Sequence, residues 1–433
     1  MNGGKRRRAA GFALAASLTA AMVAGAVAPT TARASTGSLP KGFHTKVVVG
    51  RLGEGSGGIP TAFAYAPGGR VFVTRKTGVV DVYDHGKQHV FIDLSKEVDS
   101  SQGRGMLGLA LDPHFASNGR VYLMFTTELH SQGSSSKGAA GGEVISIRGQ
   151  GTDPDRAAPS TRVNLLTGYD SSAPQHADGA LRFDPEGNLL AGWGDGALDK
   201  VSKTALFAQS LDDLRGKIVR INPRTGAGVP GNPFYNATNP NRVRSKVYVY
   251  GLRNPYRFTV DPRNGTVYVG DVGWVRYDEL DAFRAHTTNP LRDRNGGWPC
   301  YEGANGHPSP QPSYRTAPAT AAACKQVYPP GPLGGHGVGA HAPLWAYAHR
   351  QTACVIGGPV YTGTANYPKR YDGQVFVADW ARDTFHTVDP TTGAATLFGS
   401  GLGDALDIQV APDGNVAYLA QTTNSLRELV YTR

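Results

Sequence analysis

The chain has 433 residues and a formal net charge of +10, yet only 18% of its residues are charged and 57 are glycine. The basic residues are scattered and no nucleic-acid-binding motif occurs, so the sequence does not favour a nucleic-acid partner. No segment after the first 34 residues is long and apolar enough to span a bilayer, so no membrane span is expected.

Residues 1–34 have the features of a secretory signal peptide. Residues 5–8 (KRRR) form a basic n-region, residues 9–28 are apolar and rich in alanine, and Ala32-Arg33-Ala34 fits an A-x-A cleavage site. Cleavage there removes five basic and no acidic residues, which lowers the net charge of the mature chain to +5. A membrane anchor is the competing interpretation, and we predict secretion to an extracellular location.

The chain contains three cysteines, and an oxidising compartment favours one disulfide among them. We predict that Cys300 pairs with Cys324, because both lie in a Pro- and Gly-rich excursion with little core of its own. Closing such a loop would contribute about 3 kcal/mol. Cys354 precedes an apolar strand and is expected to be buried.

A recurring phrase predicts the fold. It consists of an apolar strand, a turn that contains glycine and often proline, and a second strand that alternates apolar and small residues. Six copies occur: FAYAPGGRVFVT from Phe63, LALDPHFASNGRVYLMF from Leu109, LRFDPEGNLLAGW from Leu181, FTVDPRNGTVYVGD from Phe258, YDGQVFVADW from Tyr371 and IQVAPDGNVAYLA from Ile408. We predict an all-β, six-bladed β-propeller over residues 41–433, with residues 127–162 and 301–344 as long inserted loops on one face. Two sandwiched sheets are the alternative.

The third copy places a histidine and an aspartate at the two outer ends of one hairpin. His176 precedes the first strand, residues 184–187 (DPEG) form the turn, and Asp195 follows the second strand. Since a hairpin brings its outer ends together, both side chains are expected at the same edge of a sheet. An imidazole beside a carboxylate can remove a proton from a bound alcohol. The alternative is that His176 caps a strand and Asp195 begins a turn.

Seven motifs together resemble the glucose/sorbosone dehydrogenase family, whose soluble sugar dehydrogenases use pyrroloquinoline quinone (PQQ) on a six-bladed β-propeller. The resemblance runs from about residue 41 to the C-terminus. The motifs are GRGMLGLALDPHF (103–115), HADGALRFDPEGNLLAGWGD (176–195), LRGKIVRINPRTG (214–226), PGNPFYN (230–236), YGLRNPYRF (250–258), GDVGWVRYDELD (270–281) and GWPCYEG (297–303).

The resemblance implies a chemistry. His176 matches the general base that takes the proton from a sugar hydroxyl while hydride passes to PQQ, and Asp195 matches the carboxylate that orients this base. Arg253 matches an arginine near the substrate and the quinone, and Asn254 matches a hydrogen-bond donor to the cofactor. A turn at the end of a strand is the alternative interpretation of the Arg253-Asn254-Pro255 segment.

The resemblance also implies a calcium ion that is held by the backbone carbonyls of Gly273 and Trp274 and polarises the quinone. A second, structural calcium at Asp278-Glu279 is implied as well, although these residues equally fit a solvated acidic turn.

The chain departs from the family at the positions that hold the quinone. Gly103, Ala381, Asp404 and Leu406 stand where the family has a Gln or Glu, a lysine and two basic residues. PQQ carries three carboxylates, and each lost charge-assisted hydrogen bond would cost about 1.5–3 kcal/mol. We predict that Arg382, next to Ala381, contributes to cofactor binding. Arg104, Arg350, His341 and His349 are the basic residues available on other loops.

Three functions are therefore considered. The first is a secreted quinoprotein that oxidises an aldose-type sugar or related polyol and passes electrons to an external acceptor. The second is a non-catalytic propeller that binds carbohydrate or another secreted partner, and the third is a calcium-dependent hydrolase or lactonase. We favour the first. Around the predicted site, Trp298, Tyr301 and Trp345 either stack on a sugar ring or form loop core.

Overall fold

The computed structural model describes residues 37–433 apart from 54–57, 129–139, 152, 171–173, 305 and 350–352. Within these residues, 24 strands form six four-stranded antiparallel sheets. The predicted six-bladed β-propeller is confirmed. The predicted signal peptide lies outside the described residues.

Each of the first three sheets, blades 1 to 3, is a meander of four consecutive strands. Blade 1 consists of β2 Pro60–Tyr65, β3 Val71–Arg75, β4 Val79–Asp84 and β5 Lys87–Asp93. Blade 2 consists of β6 Met106–Leu111, β7 Arg120–Glu128, β8 Ala140–Gly149 and β9 Ala157–Asp170. Blade 3 consists of β10 Asp178–Phe183, β11 Leu189–Trp193, β12 Lys217–Ile221 and β13 Val247–Tyr250.

Blades 4 and 5 repeat this order, and blade 6 joins the two ends of the chain. Blade 4 consists of β14 Arg257–Val260, β15 Val267–Asp271, β16 Tyr277–Phe283 and β17 Trp345–Ala348. Blade 5 consists of β18 Val355–Val360, β19 Val375–Asp379, β20 Thr384–Val388 and β21 Ala395–Ser400. Blade 6 consists of β22 Ala405–Val410, β23 Val416–Ala420, β24 Ser425–Tyr431 and, as its outermost strand, β1 Phe43–Val49.

The first strands of the blades line the centre, since neighbouring first strands contact one another around a closed ring. A separate cluster of buried apolar side chains fills each space between neighbouring blades. Between blades 6 and 1, for example, Phe63 and Val73 pack with Leu406 and Leu419. Burial of these clusters, rather than a single core, holds the ring together.

The recurring phrase folds as predicted in five copies, in which it forms the first hairpin of a blade. In blade 3 an aspartate stabilises the turn: the Asp184 carboxylate accepts the Asn188 N–H at 2.7 Å, and Gly187 has a φ of +80°. The copy at residues 371–380 differs, because it covers only the second strand of blade 5. Its first strand, β18, lies ten or more residues earlier.

One predicted insertion is wrong. Residues 127–162 were expected to form a long loop, but residues 127–128, 140–149 and 157–162 belong to β7, β8 and β9. β9 is the outermost strand of its blade and its side chains alternate irregularly between exposed and buried. Such an edge strand lacks the apolar alternation by which a strand is recognised in sequence.

The second predicted insertion is part of a longer connection between β16 and β17, residues 284–344, which we call the blade 4 excursion. It contains the short helices α3 Pro290–Asp293, α4 Pro312–Thr316 and α5 Ala321–Lys325. The predicted disulfide between Cys300 and Cys324 is confirmed and is fully buried. Cys354, expected to be buried, is half-buried. Elsewhere lie α1 Phe115–Asn118, α2 Val243–Lys246 and the 3-10 turns Thr204–Gln209 and Lys369–Tyr371.

Buried charges tie the first strands together at the centre. Arg257 on β14 is fully buried and donates to the carbonyls of Leu406 at 3.0 Å and Thr61 at 2.5 Å, which lie on β22 and β2. Asp407 on β22 accepts Arg182 on β10 at 2.7 Å and lies 3.7 Å from the Arg257 guanidinium. This central ion cluster links four blades across the ring.

Candidate active site

His176 and Asp195 meet at the open end of the first hairpin of blade 3. Asp178 pairs with Trp193 in the last register position of β10 and β11, and the chain continues past both strands. Gly194 lies so close to His176 that a Cβ at Gly194 would be 2.3 Å from the His176 carbonyl oxygen. His176 itself has a φ of +53°. The absence of a side chain at 194 and the left-handed backbone at 176 allow the two ends to approach this closely.

The His176 ring nitrogen Nδ1 lies 2.8 Å from Asp195 Oδ1. The His176 side chain is 9% exposed and the Asp195 side chain 1%, so water reaches the imidazole but not the carboxylate. When Nδ1–H donates to Asp195, the other ring nitrogen, Nε2, retains its lone pair and can accept a proton. The structure therefore brings together the pair that the sequence proposed.

Asp195 is ionised although it is buried. Burial opposes its charge, but the neighbouring His176 and Arg253 and the hydrogen bonds to Asp195 outweigh that effect and hold its pKa below the usual value. Three donors contact the carboxylate: His176, the Ala197 N–H at 2.9 Å and the Trp298 indole Nε1–H at 2.7 Å. Both oxygens are therefore engaged.

Arg253 is buried beside this pair, and its backbone carbonyl accepts the Asp195 N–H at 2.7 Å. Its guanidinium donates to Asp199 at 2.5 Å and to the carbonyls of Val272 and Gly273 at 3.0 and 2.6 Å. The Trp298 ring lies 5.6 Å from the same guanidinium. The arginine is thus close to the His176–Asp195 pair but held by protein groups on several sides.

Asn254 and the loop after β15 form the next wall. The buried Asp271 carboxylate accepts the N–H groups of Arg253 at 2.9 Å and Asn254 at 2.6 Å, and burial raises the pKa of Asp271 to about 7. Glu302 Oε1 accepts the backbone N–H groups of residues 274–276, and its distance from the Trp274 nitrogen is 2.7 Å. Glu302, on the blade 4 excursion, therefore fixes the loop that contains Gly273.

Arg382 lies in the loop between β19 and β20 of blade 5. Its side chain donates to the Ala348 carbonyl at 2.9 Å and lies 3.5 Å from Asp379. His349, nearby, pairs with the buried Asp278 at 3.0 Å, and Asp278 also accepts the Gly273 N–H at 3.0 Å. Asp278 is therefore an internal hydrogen-bond acceptor and not part of a solvated turn.

Two other basic residues considered as substitutes have different surroundings. His341 packs 4.9 Å from the Phe283 ring at the far end of β16, and burial lowers its pKa to about 4. Arg104 pairs with Asp99 at 3.0 Å. Arg350 lies outside the described residues.

The four positions that depart from the family pattern are occupied by protein contacts. Gly103 donates its N–H to the Pro174 carbonyl at 2.8 Å, next to the segment that leads to His176. Leu406 is buried in the cluster between blades 6 and 1. Asp404 accepts the Thr422 hydroxyl, and burial raises its pKa. Ala381 contributes no charge.

In the described residues, the groups predicted to hold PQQ and calcium contact other protein groups. Arg253, expected at the quinone, instead donates to the carbonyl of Gly273, which was expected to bind calcium. Arg382 is already paired with Asp379, and Asp404 adds a carboxylate where a tricarboxylate would need cations. Among the described residues, no cluster of three or more His, Cys, Asp or Glu side chains is arranged to hold a metal ion.

Sequence analysis missed Trp298 and Asp199 as site residues. Trp298 was considered only as a stacking or core residue, and its bond to Asp195 joins residues 103 positions apart. Asp199 follows Asp195 by four positions in a loop without a recognisable motif, and its ion pair with Arg253 spans 54 positions. Tyr301 packs against Tyr328 within the excursion, and Trp345 stacks on Tyr347 in blade 4.

The fold and this site define a six-bladed β-propeller with an imidazole–carboxylate pair at one end of its first strands. The sequence profile of the Glucose / Sorbosone dehydrogenase family matches residues 58–427. The chain therefore belongs to the Glucose / Sorbosone dehydrogenase family.

The curated relatives are distant. The aldose sugar dehydrogenase YliI of Escherichia coli is 27% identical over 223 residues, which are 52% of this chain and 49% of that protein. The HIPL2 protein of Arabidopsis thaliana is 27% identical over 253 residues, which are 49% of this chain and 35% of that protein. The chain thus matches half or less of the length of these relatives.

Solved structures share the fold. The apo aldose sugar dehydrogenase from Escherichia coli superposes with a TM-score of 0.65 at 20% identity, covering 90% of this chain and 100% of that one. The PQQ-bound aldose sugar dehydrogenase from Streptomyces coelicolor gives a TM-score of 0.62 at 21% identity, covering 91% of this chain and 100% of that one.

No helix among the described residues has the length and apolar character of a membrane span.

Proposed function

We propose that the protein is a secreted oxidoreductase that oxidises a hydroxyl of an aldose-type sugar or related polyol, with His176 as the general base. The observation that supports this most is the buried His176–Asp195 pair, in which the carboxylate is ionised and the imidazole is partly open to solvent. Membership of the Glucose / Sorbosone dehydrogenase family supports the substrate class.

Oxidation of a carbinol removes one proton from oxygen and one hydride from carbon. His176 Nε2 takes the proton, and the resulting imidazolium donates through Nδ1 to Asp195, whose negative charge stabilises it. The hydride requires a redox acceptor, and an external electron acceptor must then reoxidise it. PQQ with calcium is the acceptor to test first, because a structural neighbour is a PQQ-bound enzyme, although the described residues do not provide the expected partners for it.

The test compares two asparagine variants. Asparagine suits both positions because His176 and His85 have φ angles of +53° and +46°, a region that asparagine tolerates. His85 is the matched control, since it also contacts a carboxylate, Asp84, at 2.6 Å but is exposed in a turn of blade 1. Mature wild type, His176→Asn and His85→Asn are assayed for dye reduction with aldoses, with and without PQQ and calcium.

We expect turnover by wild type and His85→Asn, and a loss of about 100- to 10,000-fold in His176→Asn. Equal turnover of all three proteins would refute the role of His176. No turnover by wild type with any sugar, while the Escherichia coli relative is active in the same assay, would refute the oxidoreductase proposal.

A second candidate is a propeller that binds carbohydrate without oxidising it. The observation that favours it is the engagement of Arg253 and Arg382 by protein groups. Calorimetric titration of the same aldoses into wild type separates the candidates: binding without turnover in the presence of PQQ and calcium supports the second.

A further inference from the structure

The inference concerns the carboxylate of Asp195, whose two oxygens have different partners. Oδ1 faces His176 at 2.8 Å and the Ala197 N–H at 2.9 Å. Oδ2 accepts the indole Nε1–H of Trp298 at 2.7 Å. A carboxylate held only by its Oδ1 partners could rotate about its Cβ–Cγ bond, whereas a donor on Oδ2 fixes the plane in which Oδ1 meets the imidazole.

Trp298 is itself held firmly. Its backbone N–H donates to the Gly251 carbonyl at 2.8 Å, and its carbonyl accepts the Gln209 side-chain amide at 2.7 Å. Its ring packs edge-on against Trp274 and Tyr314, at centroid distances of 6.3 and 5.5 Å. The side chain is 5% exposed, so the indole N–H has one fixed direction, toward Asp195.

The residue comes from a different part of the propeller than the pair that it contacts. His176 and Asp195 belong to blade 3, while Trp298 lies in the blade 4 excursion. The Cys300–Cys324 disulfide begins two residues later, and the Tyr328 hydroxyl donates to the Cys300 carbonyl at 2.8 Å. The excursion is therefore braced directly beside the indole.

We propose that Trp298 is a positioning residue for the His176–Asp195 pair, which acts by fixing the carboxylate that orients the imidazole. This proposal rests on the proposed function. Because the indole bond stabilises the Asp195 charge, losing it leaves a more basic carboxylate that attracts the Nδ1 proton more strongly. The imidazolium form of His176 then persists to higher pH, and the base is less available.

Other charged and titratable groups also act on Asp195. Arg253 and Arg215 favour its negative charge. Asp271 and Tyr314 also interact with it electrostatically. Arg253 and Tyr314 contact the Trp298 ring, so the replacement has to keep an aromatic side chain at this position.

The test is Trp298→Phe, which keeps an aromatic ring and removes the donor. The matched control is Trp380→Phe, since the Trp380 indole donates to the Gln421 side chain, also at 2.7 Å, in another part of the ring. In Trp298→Phe we expect kcat to fall about 10- to 100-fold with KM changed less than about threefold, because a misplaced base affects the chemical step. Trp380→Phe is expected to match wild type.

The second readout does not depend on turnover. The imidazole of His176 is titrated by NMR in ¹³C-histidine-labelled protein, with its signal assigned by its loss in His176→Asn. We expect the His176 pKa to rise by up to about one unit in Trp298→Phe and to stay constant in Trp380→Phe. An unchanged His176 titration together with an unchanged kcat overturns the proposal.

The two readouts also separate the proposals. If wild type oxidises no sugar, the proposed function fails, and the titration alone decides the positioning role. If Trp298→Phe does not fold, the wild-type indole N–H signal of Trp298 decides: slow exchange with solvent that is lost in Asp195→Ala, which has no acceptor, supports the bond to Asp195, and rapid exchange in wild type overturns it.

Discussion

Replacing Asp195 with asparagine probes the centre of the site with almost no change in shape. The native carboxylate accepts on both oxygens, from His176 and the Ala197 N–H on one and from Trp298 on the other. A carboxamide has one acceptor oxygen and one NH₂ group. In Asp195→Asn, the NH₂ group of the amide must therefore face a donor, either Trp298 or the Ala197 N–H beside His176.

The structure indicates what each orientation costs. If the amide oxygen faces His176 and Ala197, its NH₂ group opposes the Trp298 indole N–H, and both groups are buried. If it faces Trp298, the NH₂ group donates to His176 Nδ1, the imidazole proton moves to Nε2, and the base is lost. With a charge-assisted bond removed and a buried donor left unpaired, we expect a loss of stability of about 3 kcal/mol.

Urea unfolding and kcat measure these effects. We expect Asp195→Asn to lower kcat by about 100-fold or more. In the first orientation a neutral amide stabilises the imidazolium less than the carboxylate does, and in the second the imidazole can no longer act as the base. In the double variant Asp195→Asn/Trp298→Phe the opposing N–H is absent, so the total loss of stability should be smaller than the sum of the single losses by about 1 kcal/mol. Additive losses, or a single variant as stable and active as wild type, would refute this account of the site.

Three further predictions concern stability. Asp407→Asn should lower the free energy of unfolding in urea by about 3–5 kcal/mol, because the fully buried Arg257 keeps its charge beside a neutral amide; a loss below about 1 kcal/mol contradicts this. Cys324→Ser should lower the free energy of unfolding by about 3 kcal/mol in the same assay, because it removes the disulfide; Cys354→Ser, which leaves the disulfide intact, serves as the control. Burial raises the pKa of Asp178 from 3.8 to about 7, so the folded protein retains a proton that the unfolded chain releases, and the stability from this group is lost as pH rises toward 7. Asp178→Asn should flatten that fall in denaturation midpoints, and an unchanged pH profile would contradict it.

The fold could be predicted because its signal is local and repeated. The Asp184 turn of blade 3, for example, is determined by an aspartate and a glycine a few residues apart, and both can be read in the sequence. The outer strands were harder. β9 alternates irregularly because one of its edges faces solvent, so residues 157–162 were predicted to be loop.

The site residues likewise fall into two groups: those that a local sequence pattern predicts and those that depend on how the blades pack. His176 and Asp195 share one hairpin, and hairpin geometry alone brings them together. The partners of the pair are supplied by distant segments, and their positions depend on how blades pack. Nothing local to Trp298 indicates that its indole reaches Asp195, and nothing local to Arg253 indicates that Gly273 accepts its guanidinium.

The acid–base pair also follows from the architecture of the blades. A carboxylate stands at or just past the end of the second strand in blades 3, 4 and 5: Asp195, Asp271 and Asp379. In blades 4 and 5 it binds backbone N–H groups that lead into the first strand, such as Asn254 to Asp271 and Cys354 to Asp379. These carboxylates therefore first serve to join the start of each blade to its second strand.

Blade 3 uses the same position differently. Burial raises the pKa of both Asp271 and Asp379, which favours their neutral forms. At Asp195 the group that comes just before the first strand and contacts the carboxylate is the imidazole of His176, and this imidazole, with Arg253 and the Ala197 N–H, lowers the pKa instead. A titratable side chain at the entry to the first strand thus keeps a structural carboxylate charged, and a charged carboxylate behind an imidazole is what proton abstraction requires. The chemistry of blade 3 would then arise from a single histidine placed at a position where blades 4 and 5 present backbone N–H groups to the carboxylate.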